Sequence, residues 1–116
     1  MHNFKDLKIW NRSIDLATEV YEVTKGFPVE EKYGLISQMR RSAVSIPSNI
    51  AEGAGRNTNG EFRQFLGIAN GSSFELYSQL VIADRLKLIP KETVNALLTE
   101  LAELQKMNYA LQESKR

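Results

Sequence analysis

The stretch from Leu35 to Arg56, LISQMRRSAVSIPSNIAEGAGR, does most to limit what this chain can fold into. Leu35, Ile36, Met39, Ala43, Ile46 and Ile50 recur at three- and four-residue intervals. That is the period at which side chains share one face of an α-helix. Pro47 lies inside the pattern, where it removes an intrahelical hydrogen bond and crowds the carbonyl four residues back. The stretch therefore reads as one long helix with a kink at Pro47. Ser42, Ser45 and Asn49 flank the break with short polar side chains suited to the backbone groups it frees. A helix with a single apolar stripe has to bury it against others.

The rest of the chain supplies three more helices. In the first, Leu7, Trp10, Ile14, Ala17 and Tyr21 form one apolar face. A second set, Ile9, Leu16, Val20 and Val23, lies further round. Either the helix is wedged between two neighbours of its own bundle, or one stripe faces another subunit. Gly26-Phe27-Pro28 ends it, as glycine after the last turn and proline shortly beyond commonly do. Thr58 followed by Glu61 fits a capping box at the start of the third helix. Its apolar face includes Phe62, Phe65, Leu66, Ala69, Leu76, Leu80 and Ala83, and the pattern runs unbroken through Asn70-Gly71. Gly67, Ala69, Gly71, Ser72 and Ser73 predict that another helix backbone comes close. Phe74, Tyr77, Val81 and Leu88 form a second set roughly 90° away, more apolar surface than a lone bundle helix shows to water. Ile89-Pro90 breaks the chain before a fourth helix carrying Val94, Leu97, Leu98, Leu101, Leu104, Met107 and Leu111. The predicted helices span about 4–25, 30–55, 59–87 and 91–113. Short turns between them make an all-α, antiparallel up-down-up-down four-helix bundle the expectation, as one domain over 1–116.

Composition removes most chemistry. The chain has no cysteine, hence no disulfide, thiolate metal site or cysteine nucleophile. Its one histidine, His2, lies on a tail, which leaves no Ser-His-Asp arrangement and no Glu-x-x-His pair for a di-iron bundle. Gly53-Ala54-Gly55 lacks the strand and the Lys-Ser/Thr that a phosphate loop needs. Glutamates such as Glu52 and Glu61 read as solvated helix-surface groups. These observations predict a protein that is not an enzyme and holds no metal or cofactor. No apolar run approaches the roughly 18 residues that cross a bilayer. MHNFKDLKIW carries charges where a signal peptide has its apolar stretch, so the chain is expected to be cytoplasmic with no membrane partner.

Fifteen basic against fourteen acidic side chains leave a net charge of +1, far from the basic excess of a strong nucleic-acid binder. Locally, Arg40, Arg41, Arg56 and Arg63 stand against Glu52 and Glu61. Two readings follow: Arg41 and Glu52 belong to a polar network within or between subunits, or the arginines join Lys5, Lys8 and Arg12 in contacting phosphates of RNA or DNA.

Three segments carry a family resemblance: FKDLKIW, FPVEEKYGLISQMRRSAVSIPSNIAEGAGR and EFRQFLGIANGSSFELYSQL. Through them nearly the whole chain resembles the small four-helix-bundle proteins named after intervening sequences in bacterial 23S rRNA genes. The resemblance implies a homo-pentameric, barrel-like assembly. It also implies a non-catalytic scaffold or adaptor role, since a relative serves as accessory subunit of the reverse transcriptase in diversity-generating retroelements. Possible partners are then RNA or DNA, or a nucleic-acid-processing protein; the alternative is an interaction module with no nucleic-acid role. Pro47, Asn49, Glu52 and Gly53 match the family motif as structural positions. A pentamer would give Ile9, Leu16, Val20, Val23, Phe74, Tyr77, Val81 and Leu88 a surface to be buried against. The near-neutral net charge departs from the basic retroelement relative.

Overall fold

A computed structural model describes residues 2–116. Four helices, α1 (Lys8–Thr24), α2 (Ser37–Ala54), α3 (Asn59–Arg85) and α4 (Lys91–Ser114), form an antiparallel up-down-up-down bundle measuring 43 × 24 × 20 Å. The buried side chains make one cluster, with Val20, Met39, Ile50, Leu66, Leu76, Leu80, Val94 and Leu101 at its centre.

Each boundary has a local cause. Before α1, Phe4–Asp6 forms a single 3₁₀ turn, with Asn3 accepting from the Lys5 amide, and extended Leu7 separates it from α1. Where one helix was expected from residue 30, the chain first makes a 3₁₀ turn at Val29–Glu31. A wider π turn follows at Lys32–Ile36, interrupted at Gly34. Regular α2 therefore starts at Ser37, with no side chain capping it. At α3, Thr58 Oγ1 accepts from the Glu61 amide at 3.1 Å. Glu61 answers through the Thr58 hydroxyl rather than its backbone, a variant of the expected box. The far end of α3 closes through Lys87, the one non-glycine residue with positive φ (59°) among those described. Its amide donates to Asp84 O and that of Leu88 to Ala83 O, which satisfies two carbonyls at the helix end.

The seam between α2 and α3 is the most extensive, that between α1 and α4 the least of the neighbouring pairs. At the first, Gly53 is held tightly: an added β carbon would stand 2.7 Å from Phe65 Cβ and 3.0 Å from Phe62 Cδ1. The close approach therefore occurs on α2. Gly67 and Gly71, expected to mark it, have nothing within 4 Å of an added β carbon and face outward.

Two of the polar residues around Pro47, Ser42 and Ser45, tie α2 to α3, and none of the three takes up the carbonyl that Pro47 leaves free. Ser42 Oγ lies 2.7 Å from Gln79 Oε1, and Ser45 Oγ lies 2.8 Å from Ser72 Oγ. Asn49 donates to Ser45 O at 2.8 Å. On α4, Asn108 donates to Leu66 O at 2.9 Å and Gln105 reaches Ser73. Among the described residues, every buried side-chain polar atom has a partner. That satisfaction is what makes such groups tolerable inside a bundle.

Candidate interaction surfaces

The two apolar stripes of α1 lie opposite to their expected places. Ile9, Leu16 and Val20, expected at an oligomer interface, are buried in the chain's own core, where α1 packs against α2 and α4, and Val23 packs half-buried against the same core. Ile9, Leu16 and Val20 therefore have no surface left to offer another subunit. The other stripe is the outer one: Ile14 is 38% and Tyr21 41% exposed, and Trp10 is half-buried. With Phe4, Val44 and Pro47 they line an open groove of about 530 Å³ between α1 and α2, whose walls are mainly aromatic and aliphatic. Nothing in the sequence marked this groove, because helical spacing says which residues share a face but not which way the face points.

On α3, Phe74 is 55% exposed and Tyr77 37%, where the sequence placed an outward stripe. Val81 is half-buried, and Leu88 packs against the core at the helix cap, so it offers little surface. Ile68, Ile82 and Leu86 extend the exposed set instead.

The basic residues do not gather. Arg12 grips Glu100 across the α1–α4 seam, Nε to Oε2 at 2.9 Å and Nη2 to Oε1 at 2.5 Å. That hydrogen-bonded carboxylate raises the Arg12 pKa further. Arg40 lies over the Tyr21 ring at 4.5 Å and donates to Thr24 Oγ1 and Tyr21 O. Arg41 pairs with Glu75 at 3.2 Å, not with Glu52. Glu52 pairs with Arg56 at 3.2 Å, and Glu61 approaches the same guanidinium at 4.0 Å. Arg56 also stacks over Phe65 at 4.7 Å, and Arg63 donates to the Lys115 carbonyl. Lys5 and Lys8 are exposed at the start of the chain, without an ion pair among the described residues. Arg41 is ~20 Å from Ala54 along α2 at 1.5 Å per residue, and Arg56 lies beyond that end. One copy thus presents no continuous basic stripe. The pairings were not readable beforehand, since Arg12 and Glu100 are 88 positions apart.

Among the described residues, no group of three or more His, Cys, Asp or Glu side chains converges as a metal site would require. No helix is long and apolar enough to cross a membrane.

A protein of unknown function from the S23 ribosomal protein family of Bacteroides thetaiotaomicron shares the fold, with a TM-score of 0.79 at 22% identity over 90% of this chain and 97% of that one. No curated protein matches. The profile of the 23S rRNA-intervening sequence proteins matches residues 5–110, from the first turn to near the end of α4, and the chain belongs to that family.

Proposed function

We propose that the chain is a non-enzymatic, single-domain cytoplasmic adaptor that works as a homo-oligomer, pentameric as its family resemblance implies. The observation that carries this reading is the placement of exposed apolar side chains. Ile14, Tyr21 and Val44 cluster on one side of the bundle and Phe74, Ile82 and Leu86 lie along another. Contiguous apolar surface of this kind marks sites of protein contact. Each large side chain covered on association contributes about 1.5–3 kcal/mol when fully buried. The partner of the assembly, in this reading, is a protein that processes nucleic acid, as for the retroelement accessory relative. Most of the chain's candidate phosphate ligands are already engaged by its own carboxylates and carbonyls, which favours a protein partner over nucleic acid itself.

Direct contact with RNA or DNA is the second reading. It is favoured by the exposure of the Arg41–Glu75 and Arg56–Glu52 pairs, at 64%/42% and 42%/54%. Exposed pairs hold only about 0–1 kcal/mol, so a phosphate competes readily with the glutamate. Repetition around an oligomer multiplies a patch that is weak in one copy.

Light scattering coupled to gel filtration, with and without a structured RNA at low and moderate salt, tests both. A mass of several chains indifferent to RNA supports the protein adaptor. Uptake of RNA that weakens with salt, and is lost in the Arg40→Ala/Arg41→Ala/Arg56→Ala/Arg63→Ala variant, supports the second reading. A monomer at micromolar concentration overturns self-association.

A further inference from the structure

The chain has no cysteine, so oxidation at sulfur falls on its three methionines. Two of them lie among the described residues. Met39 is 0% exposed at the centre of the core, and an oxidant reaches it only when the bundle opens. Met107 is half-buried on α4, where it lines an open groove of about 380 Å³ beside the start of α1 together with Leu7, Ile9 and Leu111. Of these two side chains, Met107 is the one that a small oxidant meets in the folded bundle.

A cation is already at its sulfur. Arg12 Nη1 donates to Met107 Sδ at 3.3 Å, while Nε and Nη2 of the same guanidinium hold the two oxygens of Glu100. A thioether is a weak acceptor, so this third prong of the guanidinium is poorly matched in the reduced chain. A sulfoxide oxygen is the negative end of a polar S–O bond, and a guanidinium donates to it a charge-assisted hydrogen bond. Oxidation of a methionine ordinarily puts a polar group at the edge of a core and loosens its packing. Here the polar group forms beside a positioned donor, at the α1–α4 seam that the same arginine clamps.

We propose that Met107 is an oxidation site whose sulfoxide Arg12 receives, so that the chain takes up a two-electron oxidant such as hydrogen peroxide and stays folded. In the step, a lone pair of Sδ attacks one peroxide oxygen. The S–O bond forms as the O–O bond breaks, and the leaving hydroxide departs as water with the proton shed by the transferred oxygen. Sulfur is oxidised by two electrons and the peroxide is reduced by two. Arg12 covers one side of Sδ, so the oxygen is added from the groove. Rotation about the flexible torsions of the side chain then turns that oxygen to Nη1. Nε and Nη2 stay on Glu100, and the seam keeps its ion pair. Methionine sulfoxide reductases return the thioether, which makes the site reversible.

Peroxide treatment of the wild type, Arg12→Ala, Glu100→Ala and Met107→Leu tests this, with peptide mass mapping to locate the added oxygen and circular dichroism to follow Tm. Met107 should be oxidised more than about tenfold faster than Met39, which reacts only through opening of the core. The oxidised wild type should keep its Tm to within about 2 °C, and so should oxidised Glu100→Ala, which retains the arginine. Oxidised Arg12→Ala should fall roughly 4 °C below its own reduced form, and reductases for both sulfoxide epimers should restore it. Met107→Leu should keep its Tm under the same peroxide, which assigns the loss in Arg12→Ala to Met107. Each comparison is between the oxidised and reduced forms of one variant, so a lower starting stability does not enter. Oxidation of Met107 no faster than that of Met39 overturns the site. An equal change in Tm for the wild type and Arg12→Ala, whether large or none, overturns the part given to Arg12.

Discussion

Gly53 on α2 and Phe65 on α3 meet so closely that a β carbon on the glycine would stand 2.7 Å from the β carbon of the phenylalanine. Phe62 O, at 3.3 Å, closes the other side; it and Phe65 Cβ are fixed by the α3 backbone and cannot swing away. Alanine in a helix interior ordinarily gains about 1 kcal/mol over glycine. Overpacking costs about 1–3 kcal/mol and prevails here. Gly53→Ala should lower unfolding stability by about 1 kcal/mol or more in urea titration. Gly67→Ala, which meets nothing within 4 Å, should raise it by about 0.5–1 kcal/mol when parent and variant have equal mass. Equal effects at the two sites would mean that the α2–α3 crossing is looser than described.

Lys87 holds the left-handed position that ends α3, at φ 59°. A β carbon there crowds the following carbonyl at about 1–2 kcal/mol, a cost glycine does not carry. The hydrogen bonds of the cap run through the backbone and survive the change. Lys87→Gly should therefore stabilise the chain by about 1 kcal/mol, seen as a rise of roughly 4 °C in Tm. Lys87→Ala should give no such rise. A lower Tm for the glycine variant would show that the lysine makes a compensating contact.

How much was legible beforehand differs from helix to helix. For α3 and α4 the periodic face, the Thr58 cap and the Pro90 start agree with the structure to within two residues of each boundary. In α1 both stripes are apolar, and only packing against α2 and α4 decides that Leu16 and Val20 turn inward while Ile14 and Tyr21 turn out. Small residues misled in the same way, because Gly53 and Gly71 look alike in sequence while only Gly53 faces a neighbouring backbone. The irregular turns before Ser37 had no marker, since no side chain caps α2. Ion pairs such as Arg41–Glu75 join distant segments, so the cations looked less engaged than they are.

The Arg12–Glu100 pair bridges α1 and α4, the least extensive of the seams between neighbouring helices. Both side chains are about a third exposed or more, at 40% and 31%, so solvent weakens their attraction. The two-pronged geometry works the other way, holding both carboxylate oxygens at once. Arg12→Ala should cost about 0.5–1 kcal/mol, and a double-mutant cycle with Glu100→Ala should return a coupling of about that size, reduced at high salt. A coupling of zero at low salt would show that the seam is held by Leu16, Leu97 and their neighbours without help from the ion pair.

His2 is the chain's only histidine, so one resonance reports its titration. Its amide donates to Ala54 O at 2.8 Å, and its ring lies 5.3 Å from that of Phe62. Burial against that site and then the charge of Lys115 lower its pKa from the ordinary 6.5. The folded chain thus resists protonation at His2, while the unfolded chain accepts a proton near 6.5. Stability from the docked segment is complete above that value and declines as pH falls below it toward the lowered folded-state pKa. His2→Gln should flatten this limb of the stability–pH curve without changing its height at pH 8 by more than about 0.5 kcal/mol, the usual range for a surface substitution. An NMR titration of wild-type His2 with a midpoint at or above 6.5 would mean that the N-terminal segment leaves Phe62 in solution.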